Sequence, residues 1–424
     1  MAIVLAYGSP ALGHLLPLAA LLSELVARGH QVHLRTMSAG VSQMRELGID
    51  AEPVDARIEA IDAPDWTAPN ALGVLKMSID VLCSRAVLEV DDLRTAIEQV
   101  RPDAVIIDAN CWGAMSAADA GSVPWLVFSP FTPYLRSPGV PPFGPGLRPL
   151  PGAIGRLRDM LVRPFVTYLF DRRVLPRVNA IRVAVGAPET KSVDELMRRA
   201  PLMLAVGGEP FEYPHPGWGD TVHLVGACAF EPGPARRPDW VASIDLPIVL
   251  VSTSSIRQAD AVLARTALQA LAQEPVHVVA TFPAGVPDDL VIPANATVRQ
   301  FVPHGVVLDR ACCAITHGGM GTTVKALDRG VPVCVVPFAR DQAEVARRVE
   351  VAGCGVRLPA DKLSPRTLRE AVRAAMSMSD GARRVAAGFS ATGGVSRGAD
   401  VIETQLSGSA PRTPASDVAQ GPRT

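Results

Sequence analysis

The sequence lacks the features that mark membrane-spanning and exported proteins. None of its apolar runs reaches the roughly 18 residues that a helix needs to cross a bilayer, so no span is expected. No basic stretch precedes the first apolar run, as it would in a signal peptide, and we therefore expect a cytoplasmic protein. Seven cysteines without a Cys-x-x-Cys spacing predict reduced, mostly buried thiols, which agrees with that compartment.

An excess of charge of one sign is also missing. The 424 residues carry 41 Lys and Arg against 42 Asp and Glu, a net charge of −1, without any basic run. Proteins whose main partner is a nucleic acid concentrate positive charge, so the composition argues against that class. Apolar residues make up 48% of the chain, enough for each of two domains of about 200 residues to bury its own core.

Short apolar runs alternate with helical patterns through both halves of the chain. This alternation predicts an α/β protein with two doubly wound, Rossmann-like domains. Strands are expected in the first half at 3–7, 31–36, 51–54, 104–108, 125–129 and 202–206. Strands are expected in the second half at 248–252, 276–280, 297–301, 311–316, 333–336 and 355–358.

Proline and glycine mark the division between the two halves. They predict a first domain over 1–206, a linker over 207–247 and a second domain over 248–390. A helix at 391–406 is expected to cross back to the first domain. The residues from 407 to 424 are small and polar, which predicts a disordered tail.

The densest cluster of chemical signals is the segment Thr-His-Gly-Gly-Met-Gly-Thr-Thr at 316–323, which follows an apolar strand and opens a helix. Backbone N–H groups and the positive helix end at such a junction bind phosphate, and glycine allows close approach. His317 adds a donor at its mouth. Further along, Asp341 and Gln342 follow another strand with groups that can bond sugar hydroxyls. The combination predicts a nucleotide-sugar site; a turn that only packs a helix on a sheet is the alternative.

With these motifs the chain resembles the family-1 (UGT-like) glycosyltransferases of the GT-B fold, in the bacterial branch that modifies antibiotics, macrolides and other natural products. The resemblance extends over roughly residues 1–406, and its most specific marks are His-Gly-Gly-x-Gly-Thr and the Asp-Gln pair. It implies two Rossmann-like domains that face each other across a cleft. The first would bind the acceptor and the second the nucleotide sugar.

His14 is the candidate catalytic base. It lies in Gly-His-Leu-Leu-Pro at the start of the first predicted helix, where the helix end is expected to lower its pKa and keep it neutral. The resemblance places the catalytic histidine at this motif. Asp108 ends a nearly all-apolar strand, where a carboxylate needs a partner, and the resemblance pairs it with the histidine. Helix capping is the structural alternative for both residues.

The resemblance also implies donor-binding residues in the second half. They are Ser255, Phe301, His304, His317, Gly319, Gly321, Thr322, Lys325, Asp341 and Gln342. Phe301 stands where an aromatic ring stacks on the pyrimidine base, with a place in the core as the alternative. Ser254 stands where the family prefers glycine, and His304 stands where glutamine is usual.

Lys325 departs from the pattern of the family, which commonly has glutamate at this position to hold the ribose hydroxyls. This departure has the largest consequence for how the ribose is recognised. An ammonium group only donates hydrogen bonds, so a thymidine donor, which lacks the 2′-hydroxyl, becomes easier to accept. TDP and UDP both stay open. The chain contains no Asp-x-Asp, and we expect a metal-independent, inverting transfer without a cofactor. His317, Thr322 and the helix N-terminus would hold the leaving group.

The acceptor is expected to be an apolar small molecule such as a polyketide, macrolide, phenol or lipid. The residues expected to line its pocket are Trp66, Met77, Trp112, Phe131 and Tyr134. The stretch 130–151, with eight prolines, is either a loop over this pocket or an ordinary surface loop. The linkage atom and the oligomeric state, a homodimer included, stay open. A nucleotide-sugar epimerase or hydrolase of the same fold and a non-catalytic auxiliary protein are the alternative functions.

Overall fold

The computed structural model describes residues 1–68, 70–231, 238–254 and 260–408, which form two α/β domains. The described strands of the first domain are β1 (Ile3–Tyr7), β2 (Gln31–Thr36), β3 (Asp50–Pro53), β4 (Ala104–Asp108), β5 (Trp125–Ser129), β6 (Met203–Ala205) and β7 (Val222–Leu224). Its described helices are α1 (Leu12–Ala27), α2 (Val41–Glu46), α3 (Ala56–Glu59), α4 (Ala71–Val100), α5 (Trp112–Ala120), α6 (Gly152–Val185) and α7 (Val193–Arg198).

The strands of the first domain form one parallel sheet in the order β3-β2-β1-β4-β5-β6-β7. Both β4 and β5 are buried along their whole length, as expected for strands with helices on both faces of the sheet. The strand order reverses between β1 and β4. The carboxyl ends of these two strands therefore flank the crevice at which open α/β sheets bind ligands.

The second domain repeats this plan with a smaller sheet. Its described strands are β8 (Ile248–Ser252), β9 (His277–Thr281), β10 (Ala296–Arg299), β11 (Ala311–Thr316), β12 (Val333–Val335) and β13 (Gly355–Arg357). They are parallel in the order β10-β9-β8-β11-β12-β13. The described helices are α8 (Asp239–Ala242), α9 (Ala261–Leu271), α10 (His304–Leu308), α11 (Met320–Asp328), α12 (Gln342–Ala352), α13 (Pro365–Met376), α14 (Ser379–Ala391) and α15 (Gly394–Gly408).

The two doubly wound sheets predicted from the sequence are both present, and each predicted strand ends within two residues of the observed one. The segment 207–247, predicted as a linker, contains β7, which pairs with β6 at the edge of the first sheet. Three residues between turns are too short to show a strand period in the sequence. No helix in the described part of the chain is long and apolar enough to cross a membrane.

The last helix, α15, returns to the first domain and lies against α1. Arg28, at the end of α1, donates to the carboxylates of Asp400 and Glu403 at 2.7 and 3.0 Å. His30 contacts the other oxygen of Glu403 at 2.9 Å. The chain therefore joins the two domains at two places, once through the segment before β8 and once through α15.

A buried ion cluster on α12 makes a further connection between the domains. The Arg348 guanidinium, 2% exposed, donates to both oxygens of Glu212 at 2.9 and 3.1 Å and to Glu344 at 2.8 Å. Glu212 also accepts from the hydroxyl of Thr132 at 2.9 Å, and Glu344 accepts from the backbone N–H of Gly146 at 2.8 Å. The cluster thus attaches the proline-rich segment 130–151 of the first domain to a helix of the second.

We predict that Arg348→Ala destabilises the protein by about 3–5 kcal/mol, because it leaves two buried carboxylates without their cation. Urea unfolding followed by circular dichroism measures the loss. Arg366→Ala is the matched control, since Arg366 pairs with Glu370 on the surface at 75% and 61% side-chain exposure, and exposed pairs contribute less than about 1 kcal/mol. Equal effects of the two changes would show that the buried cluster does not hold the domains together.

Candidate active site

A cavity of about 1090 Å³ lies between the two domains. In the first domain, residues that follow β1 and β4 line it, and α4 and the segment 130–145 contribute to the same wall. In the second domain it is lined by residues at the ends of β8, β9, β11 and β12 and by the start of α11. The cavity therefore lies at the carboxyl ends of strands from both parallel sheets, the position at which such sheets bind ligands.

His14 and Asp108 meet at this cavity, as the sequence predicts. The Nδ1 atom of His14, in the first turn of α1, lies 2.8 Å from Oδ2 of Asp108 at the end of β4. Asp108 is fully buried, and its other oxygen accepts from the backbone N–H of Asn110 at 2.9 Å. A histidine whose Nδ1–H is bonded to a carboxylate presents Nε2 as the proton acceptor.

The sequence-based expectation for the pKa of His14 was wrong in sign. Burial is the largest single influence and lowers it, as Arg340 also does, but the charge of Asp108, its hydrogen bond and the charge of Asp341 together outweigh them. The pKa of His14 is therefore raised above its ordinary value. Asp341 belongs to the second domain, so the electrostatic environment of this histidine is built by both domains.

The glycine-rich segment 316–323 forms a strand-to-helix junction, as predicted. Gly318 has φ +96°, a left-handed conformation that favours glycine. A Cβ on Gly319 would lie 2.6 Å from Nε2 of His317, so glycine there allows the ring to lie against the backbone. Gly321 follows in the first turn of α11. Backbone N–H groups of this turn and the imidazole of His317 therefore surround one end of the cavity.

His317 and His304 are both kept neutral by burial. Burial lowers the pKa of His317 despite the carboxylate of Asp260, 3.5 Å from its Nδ1. Burial, with a smaller effect from Lys325, lowers the pKa of His304 to about 3. His304 contacts the hydroxyls of Thr281 at 3.1 Å and of Thr322 at 3.4 Å. Neutral imidazoles at this end of the cavity act as hydrogen-bond donors or acceptors and not as fixed cations.

Asp341 and Gln342 have different parts in the structure. The side-chain oxygen of Gln342 accepts from the backbone N–H groups of Phe338 and Ala339 at 2.8 and 3.0 Å, so it shapes the loop after β12. Asp341 lies at the N-terminus of α12, where burial raises the pKa of its carboxyl group. Both line the cavity. Asp341 supplies its carboxylate there, and Gln342 holds the loop that carries it.

Most of the remaining predicted residues line the cavity, and the others do not or lie outside the described residues. Trp112, Phe131, Tyr134, Phe301, Thr322 and Lys325 line the cavity. Met77 does not, because the face of α4 that borders it carries Leu75, Ser78 and Leu82. Phe301 is 56% exposed, which excludes the core as its place. Ser255 and the side chain of Trp66 lie outside the described residues.

Comparison with known proteins identifies the family. The model of the Erythromycin biosynthesis protein CIII-like C-terminal domain matches residues 265–396. The chain is 31% identical over 391 residues to a 4'-demethylrebeccamycin synthase from Lentzea aerocolonigenes, covering 88% of this chain and 91% of that protein. It is 27% identical to the NDP-glycosyltransferase YjiC of Bacillus subtilis (strain 168), over 87% of both chains. The structure superimposes on that of the calicheamicin glycosyltransferase CalG4 with a TM-score of 0.71 at 23% identity, over 97% of this chain and all of the other.

The chain belongs to the antibiotic and natural-product glycosyltransferases of the GT-B fold. It is an enzyme that uses a nucleotide sugar. The cavity between the domains is therefore the candidate active site of this glycosyltransferase.

Sequence reasoning missed a carboxylate on the second-domain side of the cleft of this glycosyltransferase. Glu231 follows β7 and lines the cavity, with its Oε1 3.4 Å from Nζ of Lys325. Lys325 is 8% exposed, and burial lowers the pKa of its ammonium group, although Glu231 opposes that effect. The lysine is thus part of an internal pair and does not point to solvent. Nothing in the local sequence indicates this pair, because its members are 94 residues apart.

A second missed contact crosses the cleft. Arg340 has φ +56° and donates through Nε and Nη2 to both oxygens of Asp65, each at 2.7 Å. Asp65, in the 3₁₀ turn Pro64–Thr67, is 2% exposed and also accepts from the hydroxyl of Ser78. The residue directly before Asp341 is therefore held by the first domain.

We predict that His14→Ala and Asp108→Asn each lower transfer by a factor of about 10² to 10⁴, because each would remove part of the candidate general base. Binding of the nucleoside diphosphate, measured by calorimetry, should stay unchanged in both. His317→Ala is the contrasting variant, since it should weaken that binding by about 1.5–3 kcal/mol.

His33→Ala is the matched control for this prediction, because His33 pairs with Asp50 at 3.1 Å on β2 and β3, away from the cavity. The acid limb of kcat/KM should also move to lower pH in Asp108→Asn, since the carboxylate that raises the pKa of His14 is gone. Normal turnover by His14→Ala, or full multiplication of the two losses in the double variant, would contradict the dyad.

Proposed function

We propose that this glycosyltransferase is an inverting, metal-independent enzyme that moves a sugar from a TDP- or UDP-sugar to a hydroxyl group of an apolar small molecule. The observation that carries the proposal is the 2.8 Å contact between His14 and Asp108 at the cavity that also contains the glycine-rich turn. A base in one domain and an anion site in the other are the two parts that displacement at a sugar carbon requires.

The chemistry begins at His14. Its Nε2 takes the proton of the acceptor hydroxyl, while Asp108 holds Nδ1 and stabilises the imidazolium that forms. The acceptor oxygen forms a bond to C1 of the sugar from the face opposite the diphosphate, and the bond from C1 to the diphosphate oxygen breaks. An α-linked donor then gives a β-glycoside and a nucleoside diphosphate.

The diphosphate would be held by neutral donors. His317, the hydroxyl of Thr322 and the backbone N–H groups at the start of α11 surround the end of the cavity where it would lie. The Thr322 hydroxyl is already oriented by Ser252 at 3.2 Å and by His304 at 3.4 Å. Donors fixed before the reaction stabilise the developing charge without reorganisation. Asp341 would accept hydrogen bonds from the sugar, on the side of the cavity that faces His14.

The acceptor would occupy the first-domain side of the cavity. Phe131 lies 5.7 Å from the His14 ring and stacks on Tyr134 at 5.6 Å between ring centroids. Tyr134 packs against Phe143 and Phe170 and donates its hydroxyl to Asn110 at 3.1 Å. These rings next to the base favour a large apolar acceptor, a class that includes polyketides, macrolides, phenols and lipids.

The test is an incubation of TDP- and UDP-glucose with a panel of apolar hydroxyl compounds, alone and with EDTA. We expect the release of nucleoside diphosphate to require an acceptor and to persist in EDTA. The product should be a β-glycoside, as identified by its proton NMR coupling. His14→Ala is the control for background hydrolysis. Complete donor consumption without an acceptor would show a hydrolase, and conversion of the donor to an epimer without net release of nucleoside diphosphate would show an epimerase. An α-product would contradict inversion, and loss of turnover in EDTA would contradict metal independence.

We further predict that the Lys325–Glu231 pair sets how the ribose is held. Lys325→Glu should shift preference toward uridine donors by about 0.5–1.5 kcal/mol, because a carboxylate accepts from the 2′-hydroxyl and an ammonium group does not. The single variant also places two carboxylates together. The double variant Lys325→Glu/Glu231→Lys restores opposite charges and is the sharper test.

The measurement is the ratio of kcat/KM for UDP- and TDP-donors that carry the same sugar. Arg329→Gln is the control, since Arg329 lies 3.7 Å from the same oxygen of Glu231 but does not line the cavity. An unchanged ratio in the double variant would mean that another group contacts the ribose.

A further inference from the structure

The outward face of α6 carries an apolar stripe that the described part of the chain leaves exposed. Ile154, Leu157, Leu161, Phe165 and Tyr168 follow at intervals of three, four, four and three residues, so they share one face of the helix. Their exposures lie between 54 and 77%. Contiguous apolar surface of this kind marks a site of interaction.

Positive charge accompanies this stripe. Helix α6 contains seven arginines and two aspartates. Asp159 pairs with Arg158 on the same helix, and Asp171 accepts from the backbone N–H of Val193. Two further arginines of the helix are paired outside it, Arg177 with Asp80 and Arg182 with Asp119. The exposed arginines near the stripe are Arg148, Arg156 and Arg172. Glu189 is exposed in the groove that Tyr168 and Arg172 also line, so the excess of positive charge lies at the end of the stripe that carries Arg148 and Arg156.

The stripe also borders the active-site cavity. Leu169 and Phe170, on the inner side of α6, line the cavity together with Arg163. Phe165 belongs both to the exposed stripe and to the cavity lining, since it is 65% exposed and also lines the cavity. The apolar surface thus continues from the outside of the protein into the side of the cavity that carries Phe131 and Tyr134.

The geometry points to an anionic lipid bilayer as the occupant of this surface. The stripe of α6 inserts among the lipid chains at the interface, and the arginines contact the lipid phosphates. An apolar acceptor dissolved in the bilayer then enters the cavity past Phe165. A symmetric contact between two copies would bring the arginines of both helices together, and their repulsion disfavours that arrangement.

The experiment is flotation of the full chain with vesicles of phosphatidylcholine alone or mixed with phosphatidylglycerol. We expect binding to the mixed vesicles, weaker binding at high salt, and a loss of at least about tenfold in Leu157→Gln/Leu161→Gln. Neither leucine lines the cavity, so turnover of a water-soluble acceptor should be unchanged. Val291→Gln is the matched control, because Val291 is 83% exposed in the second domain.

Three results would overturn the inference. The first is failure of the unmodified protein to float with the mixed vesicles. The second is equal loss of binding in Val291→Gln, which would mean that any exposed valine or leucine contributes. The third is dimerisation through the stripe, which would then be covered by a second copy. Sedimentation velocity would show a dimer that Leu157→Gln/Leu161→Gln dissociates, and vesicle binding would be absent.

Discussion

The cleft depends on the buried guanidinium of Arg348. Two carboxylates that would be costly to bury alone are held by it, Glu212 before β7 and Glu344 on α12. Glu212 in turn fixes Thr132, and Glu344 fixes the backbone at Gly144 and Gly146, both at 2.8 Å. A single cation thus orders the segment that covers the first-domain side of the cavity and the helix that begins at Gln342. The cluster is therefore one of the contacts that fix the distance between the two halves of the site, together with α15 and the Arg340–Asp65 pair.

The second constraint acts at the cavity itself. The pair between Arg340 and Asp65 crosses the cleft, and Arg340 precedes Asp341 in a left-handed conformation that non-glycine residues adopt only when their surroundings hold them there. The carboxylate that faces the base is therefore positioned by contacts from both domains. In the proposed reaction, with the two substrates bound to different domains, such contacts would keep the acceptor oxygen and the sugar carbon in register.

Whether a contact of the site could be predicted depends on how far apart its residues lie in the sequence. His14, Asp108 and His317 each belong to a local motif at a strand end or helix start, which the sequence displays, and the resemblance to the family implied the pairing of the first two. The Arg348–Glu212 and Arg340–Asp65 pairs join residues 136 and 275 positions apart, and no local pattern encodes them. Met77 was assigned to the cavity on residue type, whereas the helical phase of α4 decides which side chains face it. Glu231 was missed for the same reason as the arginine pairs.

The pKa of His14 shows why position in a helix is a weak guide to acid–base chemistry. A helix N-terminus carries only partial charges, whereas Asp108 places a full carboxylate charge in hydrogen-bond contact with the ring. Asp341 contributes from the other domain at longer range. Arg340, the residue before Asp341, acts in the opposite direction, so the second domain contributes influences of both signs to the pKa of His14. The largest influence that raises the pKa of His14 is therefore Asp108, which lies in the same domain and in direct contact with the ring.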